Sequence, residues 1–189
     1  GRGRFEIDAR RPEVRIVQDF AFTNLDTQRF LTDAINYAGL EGRSELSVHL
    51  RAVGRSVDEL VSSADGRIHL EIVSGVLNGV DLGGVSTTIR NALRGELIAP
   101  QARTPFLGFS GTFAVFDGVL ASNNLRFNTE NLRILGVGVI DTSRRRLDMR
   151  LSPRSPQGGA TFPFSVRGPW WELTYAADLN GRVERELNG

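Results

Sequence analysis

Residues 107–127 read LGFSGTFAVFDGVLASNNLRF, and this stretch decides the fold. Apolar residues alternate with small or polar ones on both sides of an Asp117-Gly118 turn. A repeat of two residues is the period of a β-strand with one face buried. The stretch therefore predicts two antiparallel strands with one apolar face. The apolar positions are Phe109, Phe113, Val115, Leu125 and Phe127.

The same alternation continues as far as Val166, with turn residues between the runs. Charged side chains such as Arg126, Arg146, Asp148 and Arg150 stand between the apolar ones. Residues 106–178 are therefore predicted to form an antiparallel β-meander. The further apolar positions are Leu132, Ile134, Leu147, Met149, Leu151, Phe162, Phe164 and Val166.

Residues 1–98 mix strands with helices. Alternation predicts strands at Gly3 to Ala9, Val14 to Phe22 and Gly42 to Val53, and a further strand after Asp65-Gly66. Helical spacing predicts helices from Asp26 to Ala38, from a capping box at Ser56 and Glu59, and from Ser86 to Leu93.

The segment from Ala99 to Pro105 contains two prolines and no periodicity, which predicts an exposed linker. Residues 106–178 are expected to continue the sheet of residues 1–98 within one structural domain, and residues 179–189 are expected to form a tail. The predicted fold class is α+β and mostly β: a curved antiparallel meander forming a partial barrel or groove, with two or three short helices.

Composition excludes several classes of function. The chain has 189 residues, of which 40% are hydrophobic, and a net charge of +1 from 23 basic and 22 acidic residues. Such a balance argues against nucleic acid as a partner, because phosphates require a clustered positive excess. The absence of cysteine excludes disulfides, a thiolate nucleophile and a cysteine zinc site.

No window is apolar enough to span a membrane, and a strand pattern begins at once after Gly1 without an initiating Met. We therefore expect a fragment of a longer protein, with any membrane anchor upstream.

No residue pattern favours catalysis. His49 and His69 fall on the polar phase of their strands, where surface residues are expected, and no nucleophile elbow of the form Gly-x-Ser-x-Gly is present. We expect no enzyme activity, catalytic residue, metal or cofactor. Trp170 and Trp171 have two interpretations: an anchor at a membrane or partner, or a cap on the open end of the apolar face.

The order of elements resembles that of the C-terminal region of the AsmA family, over nearly the whole chain. In the first half the resemblance lies in residues 22–26, 50–60, 64–68 and 75–82, with sequences FTNLD, LRAVGRSVDEL, ADGRI and GVLNGVDL. In the second half it lies in residues 111–113, 116–120, 135–141 and 166–169, with sequences GTF, FDGVL, LGVGVID and VRGP.

This resemblance, to a family related to TamB and to bridge-like lipid transfer proteins, implies a function. It implies a segment of a periplasmic protein of Gram-negative bacteria, anchored in the inner membrane through a part outside this chain. The implied role is to carry phospholipid along an apolar β-groove between the inner and outer membranes, in outer-membrane homeostasis. The acyl chains would contact the thirteen alternating residues between Phe109 and Val166 given above.

Two other interpretations of the apolar face stay open. The face could be an ordinary closed core that binds nothing, either closed on itself or plugged by the helix that carries Phe30 and Leu31. The domain could also be a structural or assembly module of the cell envelope that binds other envelope proteins through its exposed sheet edges.

Overall fold

A computed structural model describes residues 1–10, 13–82, 98–158, 162–169 and 171–177. Their two helices are α1 (Thr27–Ile35) and α2 (Val57–Ser62). The first strands are β1 (Arg2–Asp8), β2 (Val14–Asp26), β3 (Leu40–Gly54), β4 (Asp65–Val80) and β5 (Ile98–Phe106). The others are β6 (Gly108–Phe116), β7 (Val119–Asn128), β8 (Arg133–Asp141), β9 (Arg146–Arg154), β10 (Phe164–Pro169) and β11 (Thr174–Ala177).

All of these strands belong to one antiparallel sheet. Its order is β1-β2-β3-β4-β6-β7-β8-β9-β10-β11, and β5 pairs with β4 alone. The first half of β4 pairs with β6 and the second half with β5, so β5 and β6 lie end to end along the same edge. Neither outer strand has a further partner in the described residues, so the sheet is open. The predicted fold class is confirmed.

The helices begin where local capping allows. The Asp26 carboxylate accepts a hydrogen bond from the Arg29 backbone N–H at 3.1 Å, and Asn36 ends α1 in the left-handed conformation with φ of 56°. The predicted helix to Ala38 is therefore too long. In α2 the Ser56 hydroxyl caps Glu59 as predicted, but the Glu59 carboxylate accepts from the Arg55 N–H at 2.7 Å instead of from Ser56.

The predicted linker from Ala99 to Pro105 is wrong, because these residues form β5. Among the described strands β5 pairs with β4 on one side only, so a proline N–H missing from its other side costs no ladder bond with them. Leu107 then interrupts the strand and donates its N–H to the Asn128 carbonyl at 2.7 Å. The predicted helix from Ser86 to Leu93 and the tail at 179–189 lie outside the described residues.

Candidate functional site

Register gives the sheet one continuous apolar face. A single row of paired residues crosses from Gly3 through Phe20, Val48 and Ile68 to Phe113. Because facing residues of paired strands point to the same side of a sheet, the alternation in each strand adds to that of its neighbour. The result is an apolar face that extends from β1 to β11.

The face is concave. Tyr37, which follows α1, lies close enough to Tyr175 of β11 to oppose its ionisation. In a flat sheet β3 and β11 would be seven strand spacings apart, about 34 Å at roughly 4.8 Å per strand. Charges at that separation are screened to almost nothing. The sheet must therefore curl until β11 returns towards the connection between α1 and β3.

Burial changes the chemistry of both tyrosines at this closure. Burial raises the pKa of Tyr37, and burial followed by the nearby Tyr37 raises the pKa of Tyr175 to about 12. The backbone here is held by the Gly39 carbonyl, which accepts from the Asn78 N–H at 2.8 Å. Two half-buried tyrosines thus lie near each other where the curled sheet brings β11 towards the connection between α1 and β3.

All thirteen predicted lining residues are buried or half-buried. Those in β6 to β10 pack mostly against one another: Phe113, Leu125, Met149, Phe164 and Val166 form one cluster. A second cluster joins Leu132 and Ile134 to Leu82. This half of the face is largely filled by its own side chains. The buried residues are Phe113, Val115, Leu125, Leu132, Ile134, Met149, Phe164 and Val166, and the half-buried ones are Phe109, Phe127, Leu147, Leu151 and Phe162.

The other half is open on β1 and β2, whereas Leu46 of β3 is buried. Phe5 and Ile7 are 48% and 56% exposed, and the Phe20 and Phe22 side chains are half-buried. The Phe20 ring centroid lies 6.3 Å from that of Phe5 and 5.8 Å from that of Phe22, so the rings form a continuous aromatic strip. None of these residues is in the predicted lining set. Their alternation in the sequence is the signal that could have included them.

Phe106 is a second residue that the prediction of a linker missed. Its side chain is buried, and its ring centroid lies 5.0 Å from that of Phe127. The interruption at Leu107, which is 66% exposed, lets both Phe106 and Phe109 reach Phe127 on the concave face. Phe106 extends the apolar face beyond the end of β6.

Polar contacts hold the strands that extend past this end. The Glu41 carboxylate accepts from Asn78 at 2.7 Å and from Arg103 at 3.1 Å, which ties β3, β4 and β5 together. The hydrogen bond from Asn78, aided by Arg103, lowers the pKa of Glu41 against a smaller opposing effect of burial.

The two histidines face the polar side of the sheet. His49 Nδ1 lies 3.0 Å from an Asp19 carboxylate oxygen at the surface, and His69 Nδ1 lies 2.9 Å from the Thr112 hydroxyl. Within the described ranges no group of His, Asp or Glu side chains is arranged to hold a metal ion. His49 is exposed, whereas His69 and its contact with Thr112 are half-buried.

Trp171 is 66% exposed, so it does not cap the apolar face as one interpretation proposed. Trp170 lies outside the described residues.

The model of the AsmA family matches residues 2–125, which includes the open half of the concave face and strands β6 and most of β7. No curated protein and no solved structure matches the chain. Among the described residues, neither helix has the length and hydropathy that crossing a membrane requires.

Proposed function

Because this chain belongs to the AsmA family, which is associated with the bacterial envelope, we propose that it carries phospholipid along its concave face between the inner and outer membranes. It would do so in the periplasm, as part of a protein held to the inner membrane through a segment outside this chain. The acyl chains occupy the apolar face, and the headgroups remain at its rim.

The observation that carries the proposal is the exposure of the aromatic strip on β1 and β2. Single exposed apolar side chains are common on soluble proteins, but a contiguous exposed apolar patch marks a binding site for a ligand, a partner or a membrane. At roughly 0.8 kcal/mol per methylene, a sixteen-carbon chain entering water costs on the order of 12 kcal/mol. A continuous apolar face removes most of this cost, and the transfer then needs no catalytic residue.

The most direct test is native mass spectrometry with lipid extraction on the chain purified from a bacterial host without added lipid. We expect bound phospholipid in a defined ratio, and we expect its loss in Phe20→Asp, which places a charge on the open half of the face. Ala21→Asp is the matched control, because Ala21 is the exposed neighbour on the opposite side of the same strand. A folded Phe20→Asp protein with full lipid occupancy would contradict the proposal.

A second function is favoured by the edge of the sheet. β1 has seven residues, all of them exposed, and its outer side has no partner in the described residues. Such an edge can pair with a strand of another protein. If the chain purifies folded and empty, this assembly role becomes the better explanation. Hydrogen exchange then tests it, since pairing would slow exchange of the amides of residues 2–8 when an envelope partner is added.

A further inference from the structure

The outer face of β8 is apolar, whereas that of its neighbour β9 carries Arg146, Asp148, Arg150 and Arg154. On the concave side β8 presents Gly136 and Gly138 between Ile134 and Ile140, while the larger side chains in the middle of the strand point outwards. Leu135, Val137 and Val139 are 45%, 45% and 42% exposed. Strand propensity favours valine in a strand, but it does not require leucine on the solvent side.

This outer strip continues into β7 and β6. In register, Val139 faces Ala121, and Ala121 faces Ala114, both of which are exposed. Phe116, at the end of β6, is 69% exposed. We call these residues the outer apolar patch: Ala114, Phe116, Ala121, Leu135, Val137 and Val139.

The positive charge of the chain is concentrated around this patch. Residues 119–169 contain eight arginines and three acidic residues, a net charge of +5, whereas the whole chain has +1. Of the three acids, Asp141 is held by Arg144 at 2.9 Å and Asp148 by Arg167 at 2.9 Å. Within the described residues, Arg126, Arg133, Arg145, Arg146 and Arg154 form no ion pair with a carboxylate.

At one end of the patch, like charges face each other. Arg133 of β8 pairs in register with Arg154 of β9, and Arg126 of β7 lies diagonally across from Arg133. All three side chains are exposed, and none forms an ion pair within the described part of the chain. Like charges directly opposite destabilise a sheet, so folding gives no reason for the arrangement. Arg145 and Arg146 bound the patch at its other end.

From this arrangement we propose that the outer face of β6 to β9 docks on an anionic lipid bilayer surface. An apolar centre with arginines at both ends matches a plane of negative headgroups above hydrocarbon. An acidic protein would need a carboxylate opposite each cluster, about 27 Å apart, because Asp141, the register partner of Arg146, lies eight residues along β8 from Arg133. A convex face of small aliphatic side chains suits a deformable bilayer better than a rigid, complementary protein surface.

The test measures partition of the whole chain onto sedimented vesicles of phosphatidylcholine, with and without phosphatidylglycerol. We expect binding only to the anionic vesicles, and weaker binding as salt is added. Arg133→Glu should lower the partition coefficient about tenfold or more, and Val137→Asp should lower it as well. Arg29→Glu, an exposed change on α1, is the charge-matched control and should have little effect.

The groove variant Phe20→Asp separates this proposal from lipid carriage, because it should still bind anionic vesicles. Equal partition onto neutral and anionic vesicles, or loss of binding in Phe20→Asp alone, would mean that the concave face makes the contact and would overturn the proposal. Poly-L-glutamate serves as a probe for an acidic protein. If it binds as tightly as anionic vesicles and Val137→Asp leaves both unchanged, the bilayer is not the partner.

Discussion

The Cδ2 atom of Leu151 in β9 lies 2.8 Å from the point that a Cβ atom on Gly136 of β8 would occupy. The Cβ of Leu125, from β7 on the other side, lies 3.1 Å from the same point. Because Gly136 has no side chain, it leaves a space over β8 in which Leu125 of β7 and Leu151 of β9 approach each other.

A side chain at this position should destabilise the fold. We expect Gly136→Val to lower the free energy of unfolding by about 1–3 kcal/mol, because Leu151 and Leu125 must both move. Urea unfolding followed by circular dichroism measures the effect. Val137→Ala, on the exposed side of the same strand, should change it by less than about 0.5 kcal/mol. Equal midpoints for the two variants would show that the concave side of β8 is not packed.

Tyr37 and Tyr175 should ionise only at a higher pH than an exposed tyrosine does. Burial places the folded-state pKa of Tyr175 above its unfolded value near 10. The protonated phenol of Tyr175 therefore contributes fully to the stability of the fold below pH 10, and this contribution is lost as pH rises towards 12. Absorbance at alkaline pH should therefore show little phenolate until the protein unfolds.

Tyr37→Phe tests whether the two side chains are neighbours. It should bring the pKa of Tyr175 down towards its ordinary value, while burial keeps part of the shift. An unchanged Tyr175 titration in a folded variant would contradict the closure of the curved sheet at this point.

The turn between β8 and β9 should lose stability in acid. Hydrogen bonds from the Ser143 hydroxyl, then from the Arg144 backbone, lower the pKa of Asp141 to about 2. A lowered folded-state pKa means that the stabilisation is present above about pH 4 and disappears as pH falls through 2.

Asp141→Asn should therefore cost about 1 kcal/mol at neutral pH and almost nothing at pH 2. Urea unfolding at the two pH values measures this difference. Asp33→Asn, which removes an exposed carboxylate of α1, is the control for the loss of one negative charge, and a constant cost for Asp141→Asn at both pH values would refute the assignment.

A charge in the filled half of the concave face should also remove lipid. The Phe127 ring packs against Phe106 and Phe109, so Phe127→Asp should destabilise the protein by about 3 kcal/mol and lower lipid occupancy if acyl chains reach β7. Met149→Asp should act similarly. Asn128→Asp adds the same charge at an exposed neighbour. Full occupancy in a folded Phe127→Asp protein would confine lipid to β1 to β3.

The sequence predicts the faces of this sheet well, because alternation depends only on neighbouring residues. The places of Phe113 and Met149 on the apolar side follow from this alternation. The end of α1 does not follow from any such pattern, because Asn36 and Gly39 both suit a left-handed cap. The strand β5 was missed because Pro100 and Pro105 are typical of a loop unless the strand pairs on one side only.

The candidate site was predicted in the half of the face that its own side chains fill. Alternation marks Phe5 and Phe20 as strongly as Phe127, but it says nothing about how far the sheet curls. Curl decides which part of an apolar face is covered, and it arises from twist and irregular pairing summed over many strands. The register shift between Phe22 and Leu25 is one such irregularity.

The closeness of Tyr37 to Tyr175 also determines the order in which this protein can fold. Contacts between residues so distant in sequence form slowly, because a long loop must close before they contribute. Strands β1 to β4 pair with near neighbours and can form early, whereas the approach of Tyr37 to Tyr175 requires β11. The aromatic strip of Phe5, Phe20 and Phe22 is exposed throughout synthesis and stays partly exposed in the folded protein, and a chaperone that shields it would raise the yield of folded protein.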